Sequence, residues 1–329
     1  MLCLGIESTA HTFGCSIVDS RGKVLSDERD IYKAPEGSGI HPREASRHHM
    51  EVSSSVLQKS LQSACVTMKD VDIVGYSAGP GLGPCLRVGA VVARTVAGFY
   101  KKPLVPVNHA LGHLELGSML TGASDPLALL VSGGHTMILA FSHGRWRVFG
   151  ETLDITVGQL LDQFGRALGF ASPCGGRIEQ LASQSTGQYI QLPYIVKGND
   201  VSFSGLLTAA TKLAEKAKPS DVCYSLQETA FAMLAEAVER ALSFTGKKEM
   251  LIVGGVAANK RLAEMLESAC SRQGAKLFVC PLKFAGDNGV QIAWTALQDY
   301  KATRKQVRIQ DSTVQQSWRL DTVNVSWRR

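Results

Sequence analysis

The chain has no C-x-x-C pair; its eight cysteines are scattered. That spacing excludes a zinc ribbon and argues against a disulfide scaffold, so the thiols are expected to be reduced and mostly small core residues. No apolar run is long enough to span a bilayer. The first residues, MLCLGIESTA, lack the charged start and long apolar region of a signal peptide and read as a short strand entering a turn. These absences predict a cytoplasmic protein that does not use a membrane. No low-complexity linker interrupts the chain. One more absence concerns chemistry. In VPVNHALGHLELG, residues 105–117, His109 and His113 stand four apart on one face of any helix formed there, just after Pro106. The metalloprotease pattern H-E-x-x-H has a glutamate after its first histidine as general base. Here that place is Ala110, and the nearest acid, Glu115, lies beyond the second histidine.

What is present suits a soluble enzyme. The 329 residues are enough for two compact lobes, and 45% hydrophobic with 19% charged residues is ordinary for a chain with a real core. The formal net charge of +6 is concentrated late: the stretch from Lys301 to Arg329 holds seven basic residues and two acidic ones. Such a tail is usually a solvated surface, but it keeps a polyanionic partner in play.

The order of elements shows a faint duplication. LCLGIESTAHT, FGCSIVDSRG and KVLSDE read as strand, polar turn, strand, glycine turn, strand; LALLVSGGHT, MILAFSHG and RWRVFGE repeat that order. Both first turns end in His-Thr, at His11-Thr12 and His135-Thr136. Later strands are expected in DIVGYSA, MLIVGG and KLFVC. Helices are expected in PREASRHHMEVSSSVLQKSLQSA, LRVGAVVARTVAGFY and VCYSLQETAFAMLAEAVERALSF. Two similar α/β lobes follow, with their boundary in the small-residue stretch between Thr121 and Asp125.

Several segments can carry chemistry. The turns IESTAHT and VSGGHT can aim backbone N–H groups and hydroxyls at phosphate oxygens, and two of them in duplicated lobes can grip a nucleotide from both sides. In MLIVGGVAANKRL, Gly254-Gly255 let a backbone approach a flat ligand; Asn259 either bonds a base or sugar or simply caps a helix. Gly175 and Gly176 form another pair. Asp162 and Glu179 either accept from ribose hydroxyls or are helix-surface charges. AGPGLGPCLRVGAVVAR reads as a rigid loop that shapes a site. Asp287, expected in a Gly-flanked turn after a short strand, is either an N-cap or a third ligand beside His109 and His113. His48 and His49 read as surface or packing residues.

Taken in order, GPGLGPCLRVGAVVAR, NHALGHLELG, VSGGHT, GETLDITVGQLLDQFGR, VSFSGLLTAA, GGVAANKRL and WRLDTVNVSWR resemble the universal tRNA adenosine threonylcarbamoyltransferase family. The likeness is to its archaeal and eukaryotic branch, the catalytic subunit of the KEOPS complex, and it covers nearly the whole chain. The resemblance implies the duplicated actin and sugar-kinase-like (ASKHA) α/β fold with a nucleotide cleft between its lobes. The expected division is 1–120, 121–284 and a returning helix with basic tail, 285–329. It implies one divalent metal ion, iron or zinc, on His109, His113 and Asp287. It also implies a nucleotide or adenylate held by Leu130, Val131, Ser132, Gly133, Gly134, Asp162, Gly175, Glu179 and Asn259. The archaeal pattern has a metal-ligating tyrosine where this chain has Leu130, so water or substrate completes the shell, or the metal's affinity and identity differ.

The implied reaction moves a threonylcarbamoyl group from threonylcarbamoyl-adenylate to the exocyclic amine of the adenosine 3′ of a tRNA anticodon, with ATP or AMP able to occupy the same cleft. The amine is conjugated into the purine and is a poor nucleophile, so a mixed anhydride suits it as donor. The resemblance also implies three partners: tRNA, a small atypical protein kinase or ATPase that some archaeal relatives carry as a fusion, and a small dimerising KEOPS subunit. The rival readings are a metalloprotease, weakened by Ala110, and an ATP-dependent actin-like regulatory binding protein without chemistry.

Overall fold

The structure is a computed structural model that describes residues 1–328; Arg329, the last base of the tail, lies outside the described residues. The first sheet contains β1 (Leu2–Glu7), β2 (Thr12–Asp19) and β3 (Val24–Ile31), a meander. Helix α1 (Pro42–Ser63), β4 (Ile73–Gly79), α2 (Gly83–Tyr100), β5 (Leu104–Asn108) and α3 (His109–Thr121) follow. The second sheet begins with the meander β6 (Leu127–Val131), β7 (Thr136–Ser142) and β8 (Arg145–Glu151). Then come α4 (Val157–Ala167), α5 (Gly175–Ala182), a two-residue ladder β9 (Val196–Lys197) and β10 (Asp200–Val201), α6 (Ser204–Ala214) and α7 (Pro219–Thr245). The chain continues with β11 (Glu249–Val253), a 3₁₀ turn Gly255–Ala258, α8 (Lys260–Arg272), β12 (Lys276–Val279), α9 (Leu282–Ala285) and α10 (Gly289–Thr303).

The two sheets have the same order and polarity. The first runs β3-β2-β1-β4-β5 and the second β8-β7-β6-β11-β12. In each, the meander is antiparallel; its first strand pairs in parallel with β4 or β11, which in turn pairs in parallel with the edge strand β5 or β12. The duplication read from the two meanders is therefore a duplication of whole sheets. Strand β5 was not anticipated, because Pro106 lies within it. It is an edge strand, and a proline there costs no ladder bond on its open side. The strand expected before Asp287 is β12, and the short helix α9 lies between it and the turn that carries Asp287.

The inner strands β1, β2, β4, β6 and β11 are buried on both faces and made mostly of apolar and small residues, whereas the edge strands β3, β8 and β12 are largely part-exposed. Leu4 and Ile6 pack with α1 and α2, whereas Cys3 packs with Val290, Ala293 and Leu297 of α10. Helix α10 thus returns to the first sheet and lies across β1, β2 and β4. It comes closer than side chains allow. A Cβ on Gly5 would stand 2.2 Å from the Gly289 carbonyl oxygen, and one on Gly289 would stand 2.7 Å from Ser16 N. In the second lobe Leu127, Leu129 and Val131 face the helical layer, while Ala128 and Leu130 face Ala110, Leu111 and Leu114 of α3. Helix α3 lies between the sheets and is buried through most of its length. The tail packs onto the body through the buried Ser312, Leu320 and Val325, and Arg328 pairs with the buried Glu115, whereas Arg308 and Arg319 form exposed local pairs with Asp311 and Asp321. Among the described residues no helix is long and apolar enough to cross a membrane. All eight cysteines are free, and every one except Cys65 is buried.

Two predictions follow from this packing. Gly5→Ala is expected to cost roughly 1–3 kcal/mol in denaturant unfolding, because backbone rather than a flexible side chain blocks the added methyl. Gly98→Ala, in an exposed stretch of α2 with no atom near its Cβ position, should instead stabilise by roughly 0.5–1 kcal/mol. Equal effects of the two changes would refute the close approach. His49 is fully buried against Phe13, and burial together with neighbouring His48 pushes its pKa down from 6.5 to about 4. Its neutral ring therefore contributes stability that is complete above the unfolded pKa and is lost as pH falls through the folded one. An imidazole titration by NMR should show His49 neutral until about pH 4; a midpoint near the ordinary value would contradict this.

Candidate metal and nucleotide site

The opening turn of α3 carries the histidine pair. Asn108 caps the helix through its side-chain oxygen, which accepts from Leu111 N, and its Nδ2 donates to the Trp318 carbonyl. His109 and His113 therefore share one face, 5% and 2% exposed, with ring centroids 4.7 Å apart. Asp287 arrives from the turn before α10. Its Oδ1 lies 3.4 Å from His109 Nε2 and 3.3 Å from His113 Nε2, and the three candidate ligand atoms lie within 4.8 Å of one another. The N-cap role open to Asp287 belongs to its neighbour: Asn288 accepts from Gln291 N and caps α10, which leaves the Asp287 carboxylate free to face the histidines.

A second carboxylate orients the first histidine. Glu7, fully buried at the end of β1, accepts from His109 Nδ1 at 2.9 Å through one oxygen. Through the other it accepts from Thr9 N and Thr9 Oγ1, at 2.6 and 2.5 Å. With Nδ1–H held by Glu7, the nitrogen that His109 can free on deprotonation is Nε2, which faces Asp287, as a metal ligand needs. Burial alone would lower the His109 pKa, but the carboxylates of Glu7 and Asp287 outweigh it and hold His109 well above its ordinary range. Burial would likewise raise Asp287, yet His109 and His113 hold it well below the carboxylate range. His113 is lowered by burial, and its Nε2 is a buried nitrogen without a hydrogen-bond partner. Two imidazole lone pairs and a carboxylate converging on one point, with one nitrogen unsatisfied, fit a divalent transition metal such as zinc or iron.

The second lobe supplies a cradle of backbone beside this cluster. Ser132 Oγ accepts from Gly134 N and His135 N, and Thr156 Oγ1 donates to the Gly133 carbonyl. Helix α4 starts against this turn: a Cβ on Gly158 would stand 2.4 Å from Ser132 O. Gly254, at φ +95°, lies equally close to Val131 O. Gly133, Gly134 and Gly175, by contrast, have no backbone blocking a Cβ. Asp162 accepts from Cys174 N, beside Gly175, and Glu179 accepts from Lys260 N, beside Asn259. The structure thus brings Val131, Ser132, Gly133, Gly134, Asp162, Gly175, Glu179 and Asn259 to one side of the second lobe. Leu130 points the other way, into the apolar cluster with α3. The Asn259 side chain is committed to the protein: its oxygen accepts from Arg261 N and Leu262 N, and its Nδ2 donates to Gln227. Of the two roles open to Asn259, the cap is the one its side chain fills.

Glu7, Thr9 and His135 were missed as site residues. Glu7 and Thr9 lie in the first polar turn, already marked for its composition, but their partnership with His109 joins positions far apart in the chain. His135 had a signal in the repeated His-Thr. Its ring lies 6.4 Å from that of His109, nearly parallel, and burial with the neighbouring His109 and His113 lowers its pKa to about 3. It faces the cluster as a neutral ring from the second lobe. In the Gly-Pro loop a Cβ on Gly81 would collide with Thr9 O and Leu82 N donates to that same carbonyl, so the loop buttresses the first polar turn, while a Cβ on Gly79 would meet Gln315 O of the tail.

The sequence profile described as TsaD, tRNA N6-adenosine threonylcarbamoyltransferase, matches residues 23–294. The chain is 51% identical over 328 residues to a tRNA N6-adenosine threonylcarbamoyltransferase of Caldivirga maquilingensis, covering 99% of this chain and 98% of that one. It is 49% identical over 330 residues to a probable bifunctional tRNA threonylcarbamoyladenosine biosynthesis protein of Methanothermobacter thermautotrophicus. That match takes in 100% of this chain and 61% of the relative, so the chain spans about three fifths of that longer protein. Among solved structures, HypF of T. kodakarensis superposes with a TM-score of 0.62 at 14% identity, over 90% of this chain and 47% of HypF. This last likeness is one of fold, the duplicated actin and sugar-kinase-like architecture. Profile and full-length relatives agree: the chain belongs to the tRNA N6-adenosine threonylcarbamoyltransferase family.

Proposed function

We propose that the chain transfers a threonylcarbamoyl group from threonylcarbamoyl-adenylate to the exocyclic amine of the adenosine 3′ of a tRNA anticodon. As a member of its family the chain is a tRNA-modifying transferase; the donor, the metal and the protein partners are our reading. The observation that carries it is the His109, His113 and Asp287 cluster beside the Ser132–Gly134 cradle, joined through His135. The lobes 1–120 and 121–284, with 285–329 returning to the first, would be the units on either side of the cleft.

In the reaction, the amine nitrogen forms a bond to the carbamoyl carbon as the bond from that carbon to the phosphate oxygen breaks; AMP leaves with that electron pair, and the proton lost from the nitrogen passes to the departing phosphate or to solvent. Gly133 N, which unlike the neighbouring Ser132, Gly134 and His135 N–H groups has no acceptor among the described residues, and the positive end of α4 beside it are suited to the adenylate phosphate, which carries more charge as it departs. Asp162 and Glu179 keep carboxylate oxygens for ribose hydroxyls beyond the one each spends on backbone. A divalent iron or zinc ion on His109, His113 and Asp287, when bound, supplies Lewis-acid polarisation of the carbonyl and a fixed place for the threonyl part. Glu7 holds His109 in the required tautomer. Leu130 offers no donor, so the shell is completed by substrate or water.

A metalloprotease reading needs a carboxylate free to activate water. Glu115 accepts from Trp146, Trp327 and Arg328, and Glu7 is spent on His109 and Thr9. Neither acid is available. We also propose that the chain works with tRNA in the cytoplasm as part of a KEOPS-type assembly, with a small atypical kinase or ATPase and a small dimerising subunit. The bifunctional relative supports a second activity joined to this one in some chains.

Two outcomes are expected. In a single-turnover assay with preformed threonylcarbamoyl-adenylate, cognate tRNA, any required partners and no ATP, AMP should appear in step with modified adenosine. Modification that fails there but proceeds on this chain alone with ATP, threonine and bicarbonate would rule out the donor. The purified chain should bind about one zinc or ferrous ion, and replacing His109 and His113 together by alanine should abolish binding while the circular dichroism spectrum is kept. Because His109 is held above its ordinary pKa, its ligand nitrogen must lose a proton to bind. Metal affinity should therefore rise with pH through neutrality and binding should release protons. Affinity independent of pH between 6 and 8, or full occupancy in the double variant (roughly one ion per chain), would contradict the ligand set.

A further inference from the structure

Asp287 has no regular element of its own. It lies in the turn between α9 and α10, and two groups of hydrogen bonds hold that turn. From inside, Asn288 Nδ2 donates to the carbonyls of Phe284 and Gly286, at 3.2 and 2.7 Å. From outside, Arg29 reaches across from β3, the edge strand of the first sheet. Its Nη1 donates to the Asp287 carbonyl at 3.2 Å and its Nη2 to the Lys283 carbonyl at 2.6 Å. The same Nη2 lies 2.7 Å from Asp27, whose side chain is 3% exposed and whose other oxygen accepts from Ser16 Oγ at 3.1 Å. A buried carboxylate thus pins the guanidinium, and the guanidinium spends its fork on two carbonyls that bracket the turn.

We propose that Arg29 is a positioning residue for the third metal ligand: through the Asp287 and Lys283 carbonyls it sets where the Asp287 carboxylate stands relative to His109 and His113. The proposal rests on reading those three residues as a metal site. Geometry gives the reason. His109 and His113 are carried by a buried helix and one is further held by Glu7, whereas the third ligand is on a turn of a few residues. Helix α9, which contains Lys283, packs against the 3₁₀ turn at Gly255–Ala258 and against α3. Arg29 therefore ties to the first sheet a segment whose other contacts lie with α3 and the second lobe. A planar fork with several donors can reach both carbonyls and the carboxylate at once; an ammonium reaches fewer with the same geometry.

The test uses the full chain and the zinc ion alone, with affinity measured by competition against a chelating dye at one pH, and thermal unfolding of the metal-free protein measured in parallel. The variants are Arg29→Gln, Arg29→Lys, Asp287→Ala and the double Arg29→Gln, Asp287→Ala. Arg29→Gln is expected to lose about 10- to 100-fold in zinc affinity, the range typical for groups that orient a ligand. Arg29→Lys should lose less. In the Asp287→Ala background, Arg29→Gln should change the remaining affinity no further, because nothing is left to position. An arginine that only stabilises the fold would lower the melting temperature and leave zinc affinity unchanged, or would lower affinity by the same factor with and without Asp287. Either result overturns the proposal. If Arg29→Gln does not fold, Arg29→Lys decides alone, and wild-type affinity in that variant overturns it. The unaltered chain is measured first: no zinc binding there refutes the metal reading itself, a failure distinct from that of Arg29.

Discussion

Backbone-to-backbone contact between α10 and the first sheet is the constraint on which the site depends. Gly289 sits against Gly5 and Ser16 at distances that leave no room for a Cβ on either glycine. That contact fixes the start of α10, and the turn before it carries Asp287. A helix held off by ordinary side chains would stand some 10 Å from the sheet, whereas here the small residues let it approach further. Gly75 repeats the arrangement on β4, where a Cβ would meet Ala296. The other face of α10 is packed on α3, so the same close contact that seats Asp287 also fixes the distance to His109 and His113.

The electrostatics follow from burial. Two imidazoles and two carboxylates, Glu7 and Asp287, lie in a region almost without solvent. Isolated charges there would be prohibitive, so the charged groups are paired: Glu7 and Asp287 face the imidazoles. The carboxylates serve different ends. Glu7 is saturated by Thr9 and His109 and holds a tautomer; Asp287 presents its oxygen to both histidines. The N-terminus of α3 would by itself repel a cation, and the two negative charges offset that. Glu115, on the same helix, follows the same rule at a distance from the chemistry: Arg328 and two tryptophan N–H groups satisfy it.

The duplicated fold divides labour between its halves. Each lobe opens with the same meander and the same polar turn ending in His-Thr. The first turn, stiffened by the Gly-Pro loop at Gly79–Gly83, supplies Glu7 and Thr9 to the histidines. The second, exposed at Gly133 and Gly134, keeps its N–H groups directed by Ser132 and faces the cluster through His135. Equivalent pieces of sequence thus hold ligands on one side and open backbone on the other.

Much was legible in the order of residues. Alternation and glycine turns marked both meanders, spacing put His109 and His113 on one face, and long motifs in order pointed to the family. These signals are local: side-chain period and turn chemistry act within a few residues. Edge strand β5 escaped because Pro106 is a breaker unless the strand is at an edge, and edge position is a property of the assembled sheet. Asn259 and Asp287 each carried two readings, cap or ligand, which a side chain's type does not separate. Tertiary structure decided them, giving the Asn259 oxygen to Arg261 and Leu262 and leaving the cap of α10 to Asn288, so that Asp287 was free. The partners of His109 and Asp287, Glu7 and Arg29, lie more than a hundred residues away in the chain. Residue types and their local spacing determined which groups were capable of the chemistry. Which of them meet was decided by the packing of α10 and α3 between two sheets, because contact across such separations depends on the shape of the folded core.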